Sequence, residues 1–177
     1  MRKKMLATFF VLIVINFTYG SQNTANWIKY TSTEGRFSVL LPSQPKLLTQ
    51  SAKAPDDAQI TQHAVYSEEP YGLYMIGYFD KPAGMTYSLD VGQDAFVKAN
   101  NGTLLSEKKI ALDGHEGRDL LVSSNTSSVE TITHAWLIDA GNIIYAIQFI
   151  HLKSADPTLT SKYDATYFDS FKISKDK

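Results

Sequence analysis

The stretch from Val129 to Lys153 constrains the fold more than any other part of the chain. Two apolar runs, Val129 to Ala140 and Ile143 to Lys153, flank Gly141-Asn142. A Gly-Asn pair between two such runs is the signature of a hairpin closed by a two-residue turn. Pairing outward from that turn sets Trp136 opposite Ile147 and His134 opposite Phe149. One face then carries Ile132, Trp136, Ile138, Tyr145, Ile147 and Phe149. The other carries Ala135, Leu137, Ile144, Ala146, Ile150 and Leu152. An antiparallel sheet with one wet face alternates apolar and polar residues. This hairpin has no polar face, so both faces must be covered, and Ile143 to Lys153 is expected at the centre of a sheet.

The rest of the chain supplies further strands and the covers. Trp27 to Tyr30 and Arg36 to Leu41 read as short strands around the turn Thr33-Glu34-Gly35, with Pro42 ending the second because proline cannot donate to a ladder. Lys46 to Ala52 is extended, and Ala54 to Ala58, with Pro55, Asp56 and Asp57, is a loop. Gln59 to Ser67 alternates and is followed by the aromatic strand Gly72 to Phe79, so the two form a hairpin. The period changes at Ser88 to Asn100. Leu89, Gly92, Phe96 and Ala99 fall on one helical face, Ser88 is the expected N-cap, and Gly102 is expected to take the positive φ that stops the helix. Thr103 to Leu112 and His115 to Ser124 flank Asp113-Gly114, a pair suited to a type I′ turn. A second helix opens at Pro157-Thr158 and presents Leu159, Tyr163, Tyr167, Phe168 and Phe171. The expected fold class is α+β, a twisted antiparallel sheet of about six or seven strands with helices packed on it.

The first twenty residues describe an address. Arg2, Lys3 and Lys4 precede an apolar run from Met5 to Phe17, and Thr18-Tyr19-Gly20 places small residues before Ser21. That is the layout of a secretory signal peptide, and the run is shorter than the roughly 20 residues a membrane span needs. The expected organisation is a leader over 1–20 and one globular domain over 21–177, exported to the periplasm or beyond, with no membrane span in the mature chain. Three cations leave with the leader, so the formal net charge of -1 becomes -4. Nothing in that balance offers the basic stripe a nucleic acid requires. With no cysteine in the chain, thiol catalysis, Cys-ligated zinc, disulfides and a lipid-modified cysteine are all excluded.

Several pieces together resemble the PsbP-like superfamily of small exported bacterial proteins. They are Trp27 followed by Tyr30-Thr31-Ser32-Thr33-Glu34-Gly35-Arg36-Phe37-Ser38-Val39-Leu40-Leu41-Pro42, the mid-chain helix, the hairpin with Leu112, Gly114, Gly117 and Arg118, and the closing Tyr167-Phe168-Asp169-Ser170-Phe171-Lys172. The superfamily is named for an extrinsic photosystem II subunit and includes a Ran-binding nuclear import factor. The resemblance implies an α/β/α sandwich and a binding or accessory role. It carries over no metal-binding or protein-binding residue.

Candidate chemistry is sparse. His134 and His151 share a face on neighbouring strands, two residues apart, within reach of a shared ion; no pair of histidines stands at helical ligand spacing, and no metal or other cofactor is expected. The densest polar cluster is Gly114-His115-Glu116-Gly117-Arg118-Asp119. Alternation splits it, with His115, Gly117 and Asp119 on one face and Glu116 and Arg118 on the other, the latter pair opposite Ala111 and Lys109 and diagonal to Glu107. No Gly-x-Ser-x-Gly elbow and no phosphate-cradling glycine loop occurs. The aromatic middle of the chain offers Tyr71, Tyr74 and Tyr87 as a binding surface, since rigid rings cover area at little entropic cost. The expected function is a non-catalytic accessory or binding domain of the cell envelope, with an envelope protein or small ligand as partner. A small hydrolase using His115 or His134 and a self-associating structural protein are the alternatives.

Overall fold

A computed structural model describes residues 26–53, 59–69, 72–126 and 129–174. The expected leader, the loop 54–58, Tyr71 and the tail 175–177 lie outside the described residues. In chain order the strands are β1 (Ile28–Ser32), β2 (Phe37–Leu41), β3 (Lys46–Lys53), β4 (Gln59–Glu69), β5 (Gly72–Asp80), β6 (Gly102–Leu112), β7 (His115–Thr126), β8 (Val129–Asp139), β9 (Ile143–Leu152) and β10 (Lys172–Ile173). Helix α1 (Leu89–Ala99) follows β5, and α2 (Pro157–Ser170) follows β9.

Seven strands form one antiparallel sheet in the order β3-β4-β5-β9-β8-β7-β6. β9 is its middle strand, and every residue from Ile143 to Ile150 is buried, as a strand covered on both faces requires. The register is the one the Gly141-Asn142 turn dictates, with Trp136 opposite Ile147 and His134 opposite Phe149. Gly141 itself has φ 79°, and the amide of Asn142 donates to the carbonyl of Ala140 at 3.0 Å. That is a γ-turn, a geometry only glycine adopts readily.

The two faces are covered differently. On one, Leu89 and Phe96 of α1 pack on Leu120 and Val122 of β7, Ala135 and Leu137 of β8, and Ala146 of β9. Ser88 caps the helix by accepting from the amide of Val91, and Asp90 lies in its first turn, where the N-terminal dipole favours a negative charge. The other face lies under α2 and under a second, three-stranded sheet ordered β1-β2-β10. Sequence reading gives β1 and β2 as short strands and names a single sheet. Instead Phe37, Val39 and Leu41, all fully or almost fully buried, turn towards Tyr78, Tyr145 and Phe171, and the hairpin lies across the large sheet as a separate layer. The Tyr145 hydroxyl fixes it by donating to the carbonyl of Gly35 at 2.7 Å.

A further departure concerns the residue that ends α1. The positive φ after α1 belongs to Asn101 (46°), not to Gly102. A β-carbon at Gly102 would lie 2.4 Å from Val122 Cγ1, so glycine is there for closeness rather than for turning. Helix α2 is capped by Asp156, whose carboxylate accepts from the amides of Thr158 and Leu159, with Pro157 at the tolerated first position. Gly117 is a second close approach, where a β-carbon would meet Ile138 Cδ1 at 2.4 Å and the Leu137 carbonyl oxygen at 2.8 Å. The carbonyl belongs to a ladder and cannot swing away. Gly117→Ala is therefore expected to destabilise the domain by about 1–3 kcal/mol, the range for overpacking a filled interior. Urea melts would show it as a lower midpoint at unchanged slope; an unchanged midpoint would mean that β7 and β8 separate freely there.

Candidate functional site

The alternation of β7 sends consecutive side chains to opposite faces, and the structure puts each to use. Asp119 points to the α2 side. There it meets His134, which reaches it from β8, on the diagonal of the Asp119–Trp136 and Leu121–His134 pairs. His134 Nε2 lies 2.9 Å from Asp119 Oδ1, and Nδ1 lies 2.6 Å from Asp164 Oδ1 on α2. The ring packs on Phe168 with centroids 4.1 Å apart, and Phe168 in turn packs on Trp136 at 4.8 Å. The His134 side chain is 19 % exposed.

An ionised carboxylate only accepts hydrogen bonds, so both ring nitrogens of His134 satisfy their partners only when both carry protons. Burial works against that charge, but the hydrogen bond and charge of Asp164, and then those of Asp119, outweigh it. The result is a pKa raised above the ordinary histidine value. An imidazolium bridging two carboxylates ties α2, β7 and β8 together. While the ring carries both protons, no lone pair of His134 is left to take a proton from a substrate.

Arg118 does the equivalent work on the opposite face. Its guanidinium lies 2.5 Å from Asp90 of α1 through Nη2 and 3.0 Å from Glu107 of β6 through Nε, and Nη1 donates to the Gly117 carbonyl. The diagonal Glu107 partner is the one strand geometry anticipates; Asp90 comes from a helix and was not legible. The polar cluster 114–119 thus divides into two clamps rather than assembling one acid/base site.

His151 lies on the same face as His134 but is committed elsewhere, Nδ1 donating to the Leu152 carbonyl at 2.8 Å while the ring packs beside Phe149. His63 stacks on Tyr78 with centroids 5.0 Å apart and lies 3.5 Å from Glu34. His115 opens β7 directly after the Asp113-Gly114 turn. Among the described residues no group of three or more His, Asp or Glu side chains is arranged to hold a metal ion.

The solved structure of cyanobacterial PsbP (CyanoP) from Synechocystis superposes with a TM-score of 0.56 over 88 % of this chain and 97 % of that one, at 14 % identity. The chain has a PsbP-like fold. A crystal structure from Bacteroides thetaiotaomicron matches with a TM-score of 0.50 at 17 % identity, over 84 % of this chain and 48 % of that one. No model of a known protein family and no curated protein matches the chain. The resemblance seen in the sequence is thus met at the level of fold.

Within this PsbP-like fold two of the three tyrosines expected at a binding surface are among the described residues, and neither is fully exposed. Tyr74 is only 1 % exposed; its ring stacks on Phe149 at 4.6 Å and meets Tyr167 and Trp27 edge-on. Burial pushes its hydroxyl far above the usual tyrosine range. Tyr87 is half-buried beside Phe79, and its hydroxyl occupies the space that a β-carbon at Gly92 would need, 2.0 Å away. Tyr71 lies outside the described residues. Alternation misleads here because β5 is covered on both faces: Leu73, Tyr74, Met75 and Ile76 are all buried, so no polar phase marks an outer side. Among the described residues no helix is long and apolar enough to cross a membrane.

Proposed function

We propose that this protein is a non-catalytic accessory or binding domain of the cell envelope, exported by its N-terminal leader and acting in the periplasm or outside the cell. One observation carries the reading. The best-formed acid/base constellation, Asp119–His134–Asp164, holds both imidazole nitrogens against carboxylates of its own fold. A general base needs a free lone pair facing the substrate proton, and this ring serves the attachment of α2 instead. The PsbP-like fold, the leader and the lack of a nucleophile motif support the same role.

The test is a pull-down from native envelope extract with the exported protein as bait, read by mass spectrometry. A specific, saturable envelope partner is expected. Turnover of an ester, peptide or glycan that disappears in His134→Ala or His115→Ala would overturn the reading in favour of an enzyme.

A further inference from the structure

The two edges of the seven-stranded sheet differ in character. β6 is guarded by a bulge between Leu104 and Ser106 and by the exposed run Glu107, Lys108 and Lys109. Charges and bulges are the devices that keep an edge from pairing with a foreign strand. β3, the opposite edge, has no bulge and carries charge only at its two ends. Its register with β4 runs unbroken from Lys46–Tyr66 to Lys53–Gln59, it contains no proline, and no charge lies between its terminal lysines. Near its start Leu47 is 67 % and Leu48 38 % exposed. Successive strand residues face opposite ways, so the two leucines offer apolar contact on both sides of an edge that pairs with no further strand among the described residues.

We propose that β3 is a docking edge that takes an extended segment of a partner protein, apolar at its centre and acidic at its ends, as an additional strand. The proposal rests on the binding-domain reading above. Main-chain hydrogen bonds would supply affinity, and alternate side chains against Leu47 and Leu48 would supply selection. The lysines decide the occupant. A second copy of β3, paired antiparallel along its whole length, would set Lys46 of one copy against Lys53 of the other at both ends, and like charges directly opposite one another are destabilising. A carboxylate in each of those places reverses the sign. Lys46 is already positioned, held 2.5 Å from Glu68 and over the Tyr66 ring, with 61 % of its side chain exposed. An ammonium has three donors, so it can bind Glu68 and a partner carboxylate together.

The probe is a fluorescein-labelled peptide as long as β3, alternating valine and threonine with glutamate at each end, titrated with the protein by fluorescence anisotropy. Saturable binding is expected. N-methylation of one alternate set of peptide amides should weaken it at least about tenfold while methylation of the other set does not, because only one set faces the edge. A lysine-ended peptide should also bind at least about tenfold more weakly. The Leu47→Glu/Leu48→Glu variant should lose binding at an unchanged melting temperature, since both side chains are exposed. No saturable binding, equal binding of both methylated peptides, or a dimer in sedimentation that this variant abolishes would each overturn the proposal. An envelope partner still captured by the variant would sink the edge proposal alone. Capture of nothing by the intact protein would sink the binding-domain reading itself.

Discussion

Ile147→Asp is expected to leave no cooperatively folding domain. Ile147 is fully buried on β9, opposite Trp136 on β8 and Ile76 on β5, inside the cluster that also holds Tyr74, Tyr145, Phe149 and Phe168. None of these neighbours offers a cation. An unpaired carboxylate there must be desolvated or must take up a proton, and either belongs to the class of substitutions that cost about 4–5 kcal/mol or more. Typical domains have only about 5–15 kcal/mol in total. The variant should accumulate as insoluble protein or show no melting transition. Ile147→Val, which removes one methylene at the same place, should cost only about 0.5–1.5 kcal/mol and keep a sharp transition. A soluble Ile147→Asp protein with a normal melt would mean that β9 is not the centre of the sheet.

That strand is also where the sequence is easiest to read, for a physical reason. A two-residue turn fixes register by itself, and a one-residue slip would exchange the two faces of the hairpin. The Asp113-Gly114 turn works the same way: Asp113 at φ 50° and Gly114 at φ 88° set Ala111 opposite Glu116 and Lys109 opposite Arg118. Helix α1 is equally legible, because its cap and its apolar spacing are local. The separate three-stranded sheet is not. β10 is two residues long and pairs with β2 from the other end of the chain, Ile173 opposite Phe37. No periodicity in so short a segment marks it as a strand, and whether β1 and β2 extend the main sheet or cross it depends on which rings meet which.

The site divides along the same line. Asp119, Glu107 and Arg118 can be placed relative to one another from strand geometry alone. Asp164 and Asp90 come from helices, and the angle at which a helix lies on a sheet is set by its whole packed face. His134 consequently looked like a free imidazole beside His151, although its two nitrogens are held by Asp119 and Asp164. Tyr74 looked exposed because aromatic richness reads alike in a core and at a binding surface; Phe149 beneath it and Tyr167 above it are what distinguish the two.

The contribution of His134 to stability should depend on pH with a defined sign. Its folded-state pKa is raised, by the hydrogen bonds and charges of Asp164 and Asp119 against the opposing effect of burial. The unfolded chain titrates near the ordinary histidine value of about 6.5. A raised folded pKa means that the native state binds the proton more tightly, so the stabilisation is fully present below about pH 6.5 and is lost as pH rises through the folded pKa. The charged groups facing the ring are Asp119 from β7 and Asp164 from α2; Phe149 on β9 and Phe168 on α2 bring none. Once the ring is neutral it keeps one N–H, and the other carboxylate faces a lone pair. The melting temperature of the protein should therefore exceed that of His134→Gln by the most near about pH 6, and the gap should narrow towards about pH 9. Asp164→Asn, which removes one ionic partner, should cost about 1.5–3 kcal/mol below about pH 6.5, or roughly 3–12 °C for a domain of this size. It should cost less at high pH. A gap between protein and His134→Gln that stays constant or widens with pH would show that the ring is neutral in the native state. The attachment of α2 would then rest on Phe168, Tyr167 and Tyr163 alone.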